Sequence, residues 1–282
     1  MPVHERGAQR ASSHRTRPVK LAILTLAAAL AVGTLAVNPA PAAAAGMKVV
    51  VVVGPVESST SNYIYNARKY AAQARSYGAT VVELYSPNAT WPRVRDAAKG
   101  ANVLIYLGHG NGYPSPYGVF SAYTKDGMGL NSSAGQGNSN NKYWGEYYIR
   151  NYIHLAPNAV VILNRLCYAS GNSEWGRANP TKTVAKQRAD NFAAGFLRAN
   201  AKAVFAIGIN SASYTLKSLF TSTRSIGQIF ASDPARNLNY DFSFASTRTP
   251  GNRVWMDPYA PSRYYRSVAG QFGMTAATFR GG

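Results

Sequence analysis

The chain of 282 residues holds a single cysteine, Cys167. An internal disulfide is therefore excluded, and the fold must rest on its hydrophobic core. Histidine is nearly as scarce, with four in all. Two of them, His4 and His14, stand in a leader-like segment, leaving His109 and His154 for any chemistry of the remainder. Acid is scarce too: 11 Asp and Glu face 30 Lys and Arg, a formal net charge of +19. No GxSxG is present, against a serine hydrolase of the nucleophile-elbow type. No cluster has zinc-ligand spacing. The basic residues are scattered singly, without a run or a reader motif, which argues against nucleic acid as a specific partner.

Long apolar runs are missing as well, except for Leu21–Val37. That run follows Arg6, Arg10, Arg15, Arg17 and Lys20 and precedes "NPAPAAAAG". A basic head, a short apolar stretch and small residues before a break predict a secretory signal peptide over 1–45, cleaved after Ala45. The protein is then expected to be secreted or associated with the cell surface, with no membrane attachment after cleavage. The remaining 46–282 keep 25 basic residues against 10 acidic ones. Such a surplus favours anionic cell-wall polymers as partners of an exported protein.

What is present alternates. "MKVVVVVGPV" (47–56), "ATVVELYS" (79–86), "NVLIYLG" (102–108), "NAVVILNRLCYAS" (158–170) and "AKAVFAIG" (201–208) read as strands buried on both faces. Helical patterns fall between them over 61–78, 89–101, 142–156 and 183–200, with another over 214–232. The order predicts an α/β fold: one domain with a doubly wound, mainly parallel sheet and helices on both faces. An irregular C-terminal extension is expected from about 233, with one further element near 263–272. The polar segment 109–141 is too long for an ordinary connection and reads as a functional loop.

In open α/β sheets, ligands sit beyond the carboxyl ends of the strands. Two reactive side chains fall there: His109 after "VLIYLG" and Cys167 after "VVILNRL". Adjacent strands would bring both to one edge, where the imidazole raises the thiolate fraction and serves the leaving group as general acid. The glycines around His109 leave room for a substrate backbone, and the Gly110 amide is a candidate oxyanion donor. His154 precedes the fourth strand, roughly 20 Å from Cys167 along it, and is expected to serve a helix C-terminus instead.

A hydrophobic strand ending in His-Gly, followed by a second ending at Cys, resembles the caspase-like (clan CD) cysteine peptidases, a superfamily that includes gingipains and the bacterial CHAT domains. The block "ADNFAAGFLRANAKAVFAIG" (189–208) is similar to the helix and strand that follow the CHAT cysteine. The resemblance spans about 47–232. It implies a caspase-like three-layer sandwich, His109 as base, Gly110 as oxyanion-hole donor and Cys167 as nucleophile. "NRL" before the cysteine departs from the usual Ala or Gln-Ala. "GHGNGYPSPYG" is longer and more aromatic than most His-Gly turns, so "NGYPSPYG", with Tyr113, is expected to shape a pocket or lid.

A pocket for a basic substrate side chain would need an acid, and Glu174, Asp126 and Glu146 are the candidates, Glu174 first among them. No cofactor is expected; calcium would have only Asp126 and carbonyls of 126–141 as ligands. The sequence therefore points to an exported cysteine endopeptidase acting on protein or peptide substrates through a Cys-His dyad. The alternative is a non-catalytic envelope-binding protein on the same fold, supported by the charge and by tyrosine-rich segments such as "GEYYIRNYIH" and "SRYYRS".

Overall fold

The computed structural model describes residues 46–281; the expected signal peptide lies outside them. Five strands form the parallel part of the sheet: β1 (Lys48–Val53), β2 (Thr80–Tyr85), β3 (Val103–Leu107), β6 (Ala159–Asn164) and β7 (Ala201–Ile207). The full order is β2-β1-β3-β6-β7-β10-β9-β8, where β8 (Phe242–Ala245), β9 (Arg253–Met256) and β10 (Arg266–Gly270) run antiparallel to their neighbours. The expected mixed α/β sheet with helices on both faces is present.

The continuous valine run of β1 is buried from Val49 through Val53 because each face of the strand meets its own core. Val50 and Val52 point into one, built with α2 (Trp91–Ala98), α3 (Glu146–Tyr152) and α4 (Lys182–Arg198). Val49, Val51 and Val53 point into the other, built with α1 (Thr60–Ser76), α5 (Ser213–Thr221), α6 (Ile226–Ala231) and α7 (Ala276–Arg280). Three layers thus follow from a strand with no polar face.

Three stretches differ from the sequence reading. The C-terminal part is not an irregular extension, since it supplies β8, β9 and β10; strands of four or five residues sit at the short end of the range in which alternation can be read. The predicted helix over 142–156 is only α3, because Asn141–Trp144 pairs as β5 with β4 (Met128–Asn131). The predicted helix over 214–232 splits into α5 and α6, the second opened by a reciprocal Ser225–Gln228 capping box.

Candidate active site

The order β1-β3-β6 decides what meets at the carboxyl edge of the sheet. Leu107 of β3 pairs with Asn164 of β6, so His109 and Cys167 leave adjacent strands two and three residues beyond one rung. Gly110 seats the two turns against each other. A methyl group at Gly110 would overlap the Cys167 carbonyl oxygen at 1.9 Å, so only glycine permits this approach. Among the described residues, the Gly110 amide finds no protein acceptor.

The turn carrying Cys167 is strained. Arg165 and Tyr168 both hold left-handed backbone, at φ 63° and 69°. Such conformations cost roughly 1–3 kcal/mol each and persist only where surroundings impose them. Buried Asn164 imposes this one: its amide donates to the carbonyls of Ile207 (3.0 Å) and Asn210 (2.9 Å), and its oxygen accepts from the Tyr70 hydroxyl (2.9 Å). Leu166 and Tyr168 are buried on either side, so the thiol between them is fixed in direction.

A third residue joins from β1. Glu57, at φ 42° just beyond that strand, brings its Oε2 to 3.1 Å from His109 Nε2. A carboxylate accepts, so Nε2 donates and a neutral imidazole then carries its lone pair on Nδ1. No hydrogen bond joins the ring to the thiol. Burial, followed by the charge of Glu174, pushes the Cys167 thiol up to about 11, with a hydrogen bond from the Trp175 backbone drawing it back. The thiol is therefore protonated at neutral pH, and the resting group is not the preformed thiolate that a close imidazolium would give.

Cavities flank the two reactive residues. One of about 410 Å³ is lined by Glu57, His109, Gly110, Tyr117, Tyr143 and Glu174 among others. The other, about 520 Å³, is lined by Cys167, Tyr63, Arg165, Trp175 and Tyr265 among others, and Glu174 borders both. The Glu174 carboxylate accepts from the Tyr117 hydroxyl at 2.6 Å and pairs with Arg177 at 3.8 Å.

The remaining candidates lie elsewhere. Tyr113 packs edge-on against Phe120 and lines neither cavity. Asp126 is fully buried, accepts the Tyr113 amide at 3.0 Å and has its Oδ2 unpartnered. Burial, opposed by the Tyr113 hydrogen bond, pushes the Asp126 carboxyl up to about 8, and the residue lines neither of these two cavities. Glu146 is buried between Arg198 and Arg248. His154 is exposed at the opposite, amino end of β6. Among the described residues no three His, Cys, Asp or Glu gather as metal ligands, and no helix is long and apolar enough to cross a membrane.

Sequence reasoning missed Glu57, Tyr143 and Arg188. Glu57 could have been found by the strand-end logic that found His109, since it follows the first strand. Tyr143 has no such signal, because it reaches the site on the β4–β5 hairpin. That hairpin docks on β3 through fully buried Tyr106, whose hydroxyl accepts from the Gly129 amide (2.8 Å) and lies 3.0 Å from the His109 carbonyl oxygen. Buried Arg188 of α4 donates to Pro114 O (2.6 Å) after the histidine turn, and to Asn172 O and Ser173 Oγ (3.0 Å each) after the cysteine turn.

No family model matches the chain, and no curated protein does. Among solved structures, the Arg-specific cysteine proteinase gingipain R is similar at 13% identity and a TM-score of 0.34. The match covers 82% of this chain and 61% of the proteinase. A likeness so distant assigns no activity.

Proposed function

We propose that the protein is an exported cysteine endopeptidase in which Cys167 is the nucleophile, His109 the proton carrier and Glu57 the group that orients the imidazole. The observation that carries this reading is the contact of the Gly110 and Cys167 turns at the ends of adjacent strands, with Glu57 on His109. Substrate binding would bring His109 Nδ1 to the thiol proton as Sγ attacks the scissile carbonyl carbon. The carbonyl π electrons move to oxygen, and the free Gly110 amide is available to that oxyanion. Collapse breaks the C–N bond, His109 delivers its proton to the leaving amine, and a thioester remains on Cys167. Water, deprotonated by His109, then attacks the thioester carbon, the C–S bond breaks and the thiol regains its proton.

The raised thiol pKa favours one rival, an inert cysteine in an envelope-binding protein. The two readings part on a digest of a denatured protein mixture, with new chain ends read by mass spectrometry. The peptidase reading expects cleavage by the full chain and a loss of about a hundredfold or more in both Cys167→Ala and His109→Ala. Equal cleavage by Cys167→Ala would rule it out.

A further inference from the structure

Arg165 stands two residues before Cys167 on the strained turn. Its backbone is held from both sides: its amide donates to Ile207 O at 2.8 Å, and its carbonyl accepts from the Tyr63 hydroxyl at 3.2 Å. Its side chain lines the 520 Å³ cavity and is uncommitted. Nε is buried without a hydrogen-bond partner, and among the described residues no carboxylate pairs with the guanidinium. The guanidinium therefore stands at the cavity with its hydrogen-bonding capacity unmet, and an acceptor bound there would meet it.

The other charges of the cavity point the same way. Arg177 and Arg263 line it too, so three guanidiniums stand against the one carboxylate of Glu174. That carboxylate is already engaged by Tyr117 and Arg177. A lysine or arginine side chain entering here would meet like charge, with no free acid to receive it. A carboxylate would meet a planar donor fork, the geometry in which Arg binds most strongly.

We propose that this cavity takes an acidic side chain of the substrate, aspartate or glutamate beside the scissile bond, and that Arg165 selects it. The inference rests on the peptidase reading and reverses the expectation that Glu174 would receive a basic residue. The surplus of basic residues over the whole chain would draw acidic peptides toward the site.

The test uses the full chain and end-blocked peptides that differ only in carrying Glu, Asp, Gln or Arg before the scissile bond. The Glu and Asp peptides are expected to exceed the Gln peptide about tenfold or more in kcat/KM, with Arg poorest. Arg165→Gln should bring the Glu-to-Gln ratio close to one, and Arg165→Lys should keep part of it. A ratio is read within one variant, so a lower folded fraction does not move it. A preference for Arg or Gln, or an acidic preference untouched in Arg165→Gln, overturns the proposal.

Binding of the same peptides, and of a Gln peptide with a free terminal carboxylate, to Cys167→Ala, followed by fluorescence anisotropy, separates the two claims. If nothing is cleaved but the Glu peptide binds about tenfold tighter than the Gln peptide, and loses that margin with Arg165→Gln, the pocket stands and the peptidase reading falls. If a Gln peptide with a free terminal carboxylate is the one held, the acidic side chain is the wrong source and the proposal fails.

Discussion

Asp126 shows how a single side chain can be chemically eloquent in sequence and yet serve the scaffold. It is a carboxyl in a polar, glycine-rich loop, but the loop folds over it until no surface remains, and only the Tyr113 amide reaches one oxygen. Glu146 adds to the rise caused by burial, while Arg248 and Lys125 oppose it. The folded value of about 8 lies above the ordinary 3.8, so the folded state holds this proton over a pH range in which the unfolded chain has released it. Stability from this group is complete below about pH 4 and is lost as pH rises toward 8. Asp126→Asn keeps an acceptor for Tyr113 without the charge. It should melt close to wild type at pH 4 and several degrees higher at pH 8.5, where about 1 kcal/mol moves Tm by roughly 2–4 °C. Thermal melts at the two pH values check this, and an identical pH slope for both proteins would contradict it. The sequence separates Asp126 from Glu174 only by the nearness of Glu174 to Cys167; the path of the backbone buries the one and sets the other at both cavities.

At the scale of elements, the site is two turns and a strap. The turns were legible, because apolar runs that end in His-Gly and at Cys mark strand ends wherever the strands lie. The strap was not. Arg188 occupies the apolar side of a helix whose pattern, read alone, asks for a hydrophobe, and it is buried because its donors reach carbonyls in both turns while its guanidinium lies 4.7 Å over the Tyr168 ring. Similarly, the 109–141 segment announced function but hid the strand β4, since the four residues of "MGLN" and of its partner "NKYW" are the shortest run in which a strand can be read. Arg188→Met fills similar volume and removes the donors, leaving Pro114 and Asn172 carbonyls unpaired at a cost of about 1–3 kcal/mol. The variant should fold, exchange amide hydrogens faster in 112–116 and 172–175, and lose about tenfold or more in kcat/KM through misplaced turns. Unchanged exchange in both segments would show that the strap holds nothing.

For the molecule as a whole, the five parallel strands, their helices and the two reactive ends could be read from alternation. Their neighbour order could not, and it is the order that puts β3 beside β6 and brings the His109 and Cys167 turns to adjacent strand ends. The antiparallel strands β8 to β10 then extend the sheet beside β7, where Tyr264 and Tyr265 help wall the cavity next to Cys167. In the proposed function, the protonated thiol, the imidazole held by Glu57 and the unclaimed amide are the resting parts of a nucleophile armed by its substrate. The direct test is to trap what that nucleophile forms. The full chain is mixed with a peptide ester, quenched in acid within milliseconds and weighed intact, then digested to locate the adduct. The account predicts a thioester of the acyl group's mass on Cys167, absent in Cys167→Ala and formed far more slowly in His109→Ala. An unmodified Cys167 during ester turnover, or the same adduct in Cys167→Ala, would contradict it.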